Sequence, residues 1–430
     1  MSVEKIESLV IGAGQAGVAV SEHLGAAGVP YLVVERSRIA ECWRTARWDS
    51  LVANGPAWHD RFPNMEFANL GPDEFAPKDR VADYFEAYAK QIKAPIRCST
   101  EVTKLTHKAD GSCFIAETSN GVIEAARVVV ATGPFQKPII PTVVPAEMGI
   151  MQMHSNQYRN PQHLPHGAVL VVGGGSSGVQ IAAELQEAGR KVYLSMGPHS
   201  KPPRRYRGKD FVWWLGVLGM WDAKTPHPGM EHTTIAVSGA HGGHTVDFRK
   251  LAENGMTLVG RTENFHDGKL TFADDLKKNL LAGDADYLSI LDAADAYVAK
   301  NGLNMPEEPE ARVISVDPDC VKNPLIDVDL KAAGITSIIW ATGYALDFSW
   351  IKLDIFGTNG RPKHQRGVSE VPGLYFLGLP WLSRRASSFI WGVWHDAKYV
   401  ADDIATKRSG LPSKTTVRRV SVKTRRDSTL

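Results

Sequence analysis

A short glycine-rich turn occurs twice in this chain, and it limits the possible folds more than any other feature. Gly12-Ala-Gly14-Gln15-Ala16-Gly17 follows the apolar run Ile6 to Ile11, and Gly173-Gly-Gly175-Ser176-Ser177-Gly178 follows Ala168 to Val172. A short apolar run ending in such a turn reads as a buried parallel strand. In each case the spacing predicts a helix, over Ala16 to Ala27 and Val179 to Ala188, and then a second strand, Tyr31 to Val34 and Lys191 to Leu194. The glycines permit a tight turn, close approach of a diphosphate, and close packing of helix on strand. The helix start adds unpaired N–H groups and a positive dipole end. Each turn therefore predicts a site for a dinucleotide.

The repetition extends further. Val128 to Ala131 runs into Ala131-Thr132-Gly133, and a later apolar strand runs into Ala341-Thr342-Gly343. This is duplication of a whole fold unit, not a short solenoid repeat. A chain of 430 residues exceeds one ordinary core, and 43% hydrophobic residues suffice to fill two. The expected fold is α/β, with two Rossmann-like dinucleotide-binding domains, the second inserted into the first. The expected partition is 1–150 for the first part of the outer domain, 166–328 for the inserted domain, 329–406 for the rest of the outer domain, and 407–430 for a basic tail. A helix is expected over Arg80 to Ile92, and a small antiparallel sheet within Val102 to Val130, broken at Asp110-Gly111 and Asn120-Gly121. Gly373 to Gly378 adds a strand and Ser387 to Ala405 a helix. Pro138 to Pro145 and Asn160 to Pro165 read as linkers.

Other classes are disfavoured. A formal net charge of +2 gives no whole-chain argument for a nucleic acid or membrane partner. Cys42, Cys98, Cys113 and Cys320 form no CxxC pair, against a zinc ribbon or a dithiol centre. His241 and His244 lack a third ligand nearby, so no metal is expected. The apolar stretch Phe211 to Trp221 is too short to span a bilayer, and the N-terminus reads as free of a signal peptide, so a cytosolic protein is expected. Gly174, Ser176 and Gly178 also spell the nucleophile elbow of hydrolases. That reading explains neither the serine-free turn at Gly12 nor the paired Ala-Thr-Gly strands.

The two units diverge at the end of the strand after each turn. Glu35, with Arg36 beside it, closes the second strand of the first unit, where an acid binds ribose hydroxyls. The equivalent position in the second unit is Ser195, followed by Lys201, Arg204 and Arg205. A carboxylate about 5 Å from a 2′-phosphate would cost roughly 3 kcal/mol per phosphate charge at an effective dielectric near 20. Its replacement by serine, with cations downstream, favours NADPH over NADH. A solvated basic loop is the alternative reading of those cations.

The two fingerprints, the Ala-Thr-Gly strands and the terminal Gly373-Leu-Tyr-Phe-Leu-Gly378 resemble the class B flavoprotein monooxygenases. These include the flavin-containing monooxygenases, the plant-type indole-pyruvate monooxygenases and a bacterial subgroup. The resemblance covers nearly the whole chain except the last ~25 residues and the stretch Leu270 to Pro309. It implies FAD in the first domain and NADPH in the second. Cys42-Trp43-Arg44 followed by Trp48-Asp-Ser50-Leu51 resembles the family's FAD-contacting segment, and Val102, Thr132, Gly133, Thr342, Gly343 and Gly378 join the implied cofactor contacts. Asn54 falls where the family carries an asparagine near the oxygen-reactive face of the flavin, or else it is a turn residue before Gly55-Pro56. Met148-Gly-Ile-Met-Gln-Met-His154-Ser-Asn-Gln-Tyr158 departs from the family's linker pattern, keeping its histidine and tyrosine only. The resemblance implies oxygenation of a small amine, sulfide or activated carbon by O₂ through a C4a-(hydro)peroxyflavin. The alternative is a reductase that passes electrons to a protein or quinone. Trp381, Phe389, Trp391 and Trp394 read either as a substrate-pocket wall or as plain packing. The oligomeric state stays open, a homodimer among the options.

Overall fold

The computed structural model describes residues 3–225 and 235–408. From residue 409 on, the expected basic tail lies outside the described residues. In chain order the elements used below are β1 (Val3–Ile11), α1 (Gln15–Ala26), β2 (Tyr31–Val34), α2 (Lys78–Gln91), β3 (Ile96–Arg97), β4 (Gly121–Val130), β5 (Met151–His154), β6 (Ala168–Val172), α3 (Ser176–Glu187), β7 (Val192–Ser195), α4 (Phe211–Val217), β8 (Thr257–Val259), α5 (Leu276–Asn301), β9 (Ile335–Trp340), β10 (Leu374–Phe376) and α6 (Ile390–Arg408).

Two sheets organise the molecule. In the first, the parallel strands run β10-β4-β1-β2-β3, with antiparallel strands Val102–His107 and Phe114–Thr118 extending β4 on one side. In the second, all five strands are parallel in the order β8-β7-β6-β9-β5. Buried on both faces, the central strands are continuous apolar runs. Leu9, Val10, Val128 and Val129 are fully buried in one sheet, Val169, Leu170, Val171, Ile338 and Ile339 in the other. Helices α1 and α6 pack together beside the first sheet.

The sheets correct the expected partition. β9 registers against β6 and β5, with Ser337 opposite Met151 and Trp340 opposite His154. The second sheet therefore draws strands from both sides of the expected 166–328 segment, from residue 151 to residue 340. An apolar run announces burial, but nothing in it says which of two like sheets will hydrogen-bond it. The chain segments that cross between the units also pair: Lys137–Pro138 runs antiparallel to Tyr344–Ala345. α5, a 26-residue helix, lies in the stretch where the resemblance lapsed. Leu276, Leu280, Tyr287, Leu291, Ala294 and Val298 form its buried stripe at helical spacing.

Candidate functional site

The first turn is built for an anion. Gly12 has φ +105°, and a Cβ there would lie 2.8 Å from the Ala131 carbonyl oxygen. At Gly17 a Cβ would fall 1.9 Å from the Gly12 oxygen, so α1 closes on the turn only without a side chain. At Gly14, by contrast, a Cβ would meet nothing within 4 Å, which is the open side a diphosphate can approach. Gly14 caps α1 with no side-chain hydrogen bond, so the first N–H groups of the helix remain for a ligand. Glu35 accepts from the Ala13 N–H at 2.8 Å and the Ser37 N–H at 2.9 Å, which fixes its carboxylate beside the turn. The chain's last strand and helix return to the same place. Gly378 is so close to Ala16 that a Cβ would lie 2.8 Å from the Ala16 Cβ, and Gln15 Nε2 donates to the Ser388 carbonyl at 2.6 Å.

The second turn repeats the frame. A Cβ at Gly173 (φ +120°) would lie 2.5 Å from the Ala341 oxygen, and one at Gly178 would lie 1.8 Å from the Gly173 oxygen. Gly175 caps α3, again without a side-chain bond. Ala131 and Ala341 thus play one structural part, each carbonyl lying under the first glycine of its turn. Ser176 Oγ donates to the Ile235 carbonyl at 2.7 Å, so its hydroxyl ties a loop down, and among the described residues it has no histidine for a partner. Ser177 is exposed. Ser195 is buried, with Oγ donating to the Gly260 carbonyl at 2.9 Å and accepting from the Thr262 N–H at 3.0 Å. No acid stands in its place.

The expected cations go elsewhere. Lys201 is buried and lies 2.5 Å from Asp284, which Arg249 also pairs. Arg204 is buried between the rings of Phe75 and Phe211, and its guanidinium forks onto Asp210. Burial pushes the Arg204 pKa down, with Asp210 opposing it. Both charges are spent within the fold, so neither is on offer to a 2′-phosphate. Arg205 is exposed and donates to the carbonyls of Gly242 and Gly243.

The segment expected to contact FAD forms much of the seam between the units. Arg44 pairs with Asp83 and Glu86 of α2. Trp48 and Leu51 are buried in the core of the second unit, and Ser50 donates to Glu184 of α3 at 2.8 Å. Tyr158 OH holds the other Glu184 oxygen at 2.9 Å, and burial pushes that carboxyl's pKa up. Only Trp43 keeps a position open to both units, touching both cores with Arg47 at 5.8 Å from its ring centre. Asn54 lies on the same seam. Its Oδ1 accepts from Gln180 Nε2 of α3 at 2.9 Å, and its backbone oxygen accepts from Arg204. At the crossover, buried His154 meets the Gly343 carbonyl through Nε2 at 3.0 Å, and burial pushes its pKa down. Thr342 Oγ1 donates to the Ile139 carbonyl, and Gln136 Nε2 spans Thr132 and Gly133. Arg36 is exposed beside Glu35, and Val102 starts the strand that comes after the Thr100 N–H bond to the Glu35 carbonyl.

The sequence reading missed Gln180, Glu184 and Arg47. Gln180 and Glu184 carry one available signal: they are polar residues spaced four apart on a helix next to a glycine turn, the same face presented to a neighbour. Among the described residues no group of three or more histidines, cysteines, aspartates or glutamates could hold a metal, and no helix is long and apolar enough to cross a membrane.

A CzcO-like oxidoreductase of Geobacillus kaustophilus is 35% identical over 406 residues, covering 93% of this chain and 98% of that protein. The CzcO oxidoreductase of Bacillus subtilis is 30% identical, covering 92% and 97%. The chain belongs to the CzcO-like flavoprotein oxidoreductases. The pyridine nucleotide-disulphide oxidoreductase family matches residues 9–210 of it. A flavin-containing monooxygenase from Stenotrophomonas maltophilia has the same fold, with a TM-score of 0.65 at 18% identity over 94% of this chain and 99% of that one. A probable indole-3-pyruvate monooxygenase of Arabidopsis thaliana is 29% identical over 41% of this chain. OTEMO, solved in complex with FAD and NADP, shares the fold at 18% identity with a TM-score of 0.54, and these are the cofactors expected for this chain. Its own residues fit both: two uncapped helix starts, two turns that exclude Cβ atoms on the inner side, and one ribose-binding acid where FAD would lie.

Proposed function

We propose that this CzcO-like protein is an NADPH- and O₂-dependent monooxygenase acting on a small soft nucleophile: an amine, a sulfide or an activated carbon. One observation carries the reading. The two cradles share a seam, and Asn54 of the first unit meets Gln180 of the second there. A dinucleotide in each could therefore meet the other across it. Bound FAD would supply the redox chemistry, accepting hydride from NADPH and reacting with O₂.

The chain's own residues bind, orient and exclude water. Gly12, Gly14 and Gly17 with the α1 N-terminus would hold the FAD diphosphate, Glu35 its ribose. Gly173, Gly175 and Gly178 with the α3 N-terminus would hold the NADPH diphosphate, and the lack of an acid at Ser195 leaves room for a 2′-phosphate. Gln180 donates to Asn54 Oδ1, so in this reading the Asn54 amide N–H groups would be the donors offered to the reacting region. Such an oriented donor strengthens when water is kept out.

The test is NADPH oxidation against a panel of amines, sulfides and ketones, with product analysis, and rapid mixing of the reduced holoenzyme with O₂. Slow flavin reoxidation that a substrate accelerates, with oxygenated product, supports the reading. A single fast phase yielding stoichiometric H₂O₂ with every substrate sinks it in favour of a reductase. Asn54→Ala should lower kcat by about 10²-fold with the flavin retained.

A further inference from the structure

Apolar side chains on the outer side of α5 are left uncovered. The segment after Glu310 runs back along this helix: Tyr287 OH donates to the Ala311 carbonyl at 2.8 Å, Arg312 Nη1 meets Asp292 at 2.7 Å, and Lys277 lies 3.8 Å from Asp317. Ala311 and Ile314 turn inward onto the cluster around Tyr206, Trp214 and Tyr287. Val313 and Val316 turn outward and are 76% and 73% exposed. Leu281, one turn on from Lys277, is 52% exposed, and Ala282 and Ala285 are exposed on the same helix. Apolar groups scattered singly over a surface are ordinary, whereas a continuous strip of them marks a place of contact.

The charges bordering the strip are arranged about its middle. Lys278 and Asp292 each stand seven residues from Ala285, in opposite directions, and both are exposed. Seven residues are about two turns, so all three share one helix face, with the charges about 10.5 Å to either side of Ala285. Val313 and Val316 lie along one flank of the helix, between the Asp292 and Lys277 contacts. A second copy turned about a two-fold axis across the helix at Ala285 would run its α5 antiparallel. Lys278 then meets Asp292 of the partner subunit, twice over by symmetry, and Val313 falls against Val316 of the partner subunit. The parallel arrangement would instead set lysine on lysine and aspartate on aspartate, like charges facing each other. Arg312 does not exhaust Asp292, because its guanidinium is shared with Asp295 at 2.6 Å and the Asp292 side chain stays 67% exposed. The face fits itself in one orientation.

We infer that this face is a two-fold interface between two copies of the chain, the α5 helices meeting antiparallel at Ala285 and Val313 and Val316 packing between the flanking segments. From Lys278 to Asp292 the helix rises about 21 Å, and the helix with its flank is about 20 Å across, so each copy offers on the order of 400 Å². That is the low end for a specific interface, and a dimer that dissociates in the micromolar range is expected. The apolar strip supplies the attraction, and the two ion pairs set the register. Contact of a face with itself closes at two copies and builds no filament. The inference is independent of the monooxygenase reading.

The test is sedimentation velocity on the full-length FAD holoenzyme, from about 1 to about 100 μM. The unaltered protein should pass from monomer to dimer across that range. Val316→Asp, at an exposed position, should keep its flavin and stay monomeric. Lys278→Glu turns a carboxylate toward Asp292 of the partner subunit and should weaken the dimer about tenfold, since each substitution acts at two contacts. Asp292→Asn in the Lys278→Glu background should recover most of that loss, while Asp292→Asn alone should weaken the dimer slightly. Positions 278 and 292 are about 21 Å apart within one chain, too far to couple there, so such recovery can arise only between copies. A monomer at every concentration overturns the inference. So does a dimer that Val316→Asp leaves intact, or one in which the effects of Lys278→Glu and Asp292→Asn simply add. The measurement needs neither NADPH nor O₂, so its failure leaves the monooxygenase reading untouched.

Discussion

The two glycine turns are nearly superimposable in logic, yet their surroundings treat charge in opposite ways. Around the first, Glu35 is kept as a charged group at the end of β2, held by two backbone N–H donors. Around the second, Ser195 is buried and hydrogen-bonded within the fold, while Lys201 and Arg204 are neutralised by Asp284 and Asp210. The comparison teaches that the turn itself encodes a diphosphate and nothing more. Choice of nucleotide rests on the strand end beside it, and here the second site differs by lacking an acid, while Lys201 and Arg204 of the 201–205 run are paired within the fold.

The largest effects should come from the turns themselves. Gly17→Ala and Gly178→Ala each drive a Cβ into a backbone carbonyl that cannot move aside, a strain that should exceed about 3 kcal/mol. If the two sites are separate, Gly17→Ala should yield colourless protein, whereas Gly178→Ala should retain flavin and lose saturation by NADPH. Flavin absorbance per polypeptide and an NADPH titration read the two outcomes. Loss of flavin in both variants would dissolve the distinction.

Next in size is Arg204→Met, which leaves Asp210 buried and unpaired and should cost about 3–5 kcal/mol in denaturant unfolding. Arg204→Met with Asp210→Met should recover most of that loss. A raised KM for NADPH at unchanged stability would instead return this cation to the nucleotide. A smaller effect is expected from pH. Burial pushes His23 down to about 4, with Lys398 adding to the shift. The folded chain keeps His23 neutral where the unfolded chain, with an ordinary value near 6.5, takes up a proton. Its contribution to stability is therefore complete above pH 6.5 and is lost as pH falls toward 4. His23→Gln should flatten stability across that window. The smallest change is Ser50→Ala, which removes one hydrogen bond to Glu184 across the seam and should cost about 1 kcal/mol.

Much of the framework could be read without a structure. The strands ending at Ile11, Val34, Val130 and Val172 and the helices after each turn are local patterns, and each ends within a residue of its expected place, though several start earlier than expected. The contacts of the site were less legible. Ser50 and Leu51 match a family segment in order, but their side chains face the neighbouring unit because Trp48 and Leu51 complete its core. Arg204 reads as a free cation until Asp210 and the rings of Phe75 and Phe211 are brought around it.

By itself, then, the sequence determined the two diphosphate turns and the sheets that carry them. Those depend on steric permission at glycines and on alternation within a few residues, which are short-range properties. Tertiary structure decided which sheet took β5 and β9, and which charges were cancelled. Each of those outcomes depends on what arrives from far along the chain, because an ion pair or an unpaired donor exists only once its surroundings have been assembled.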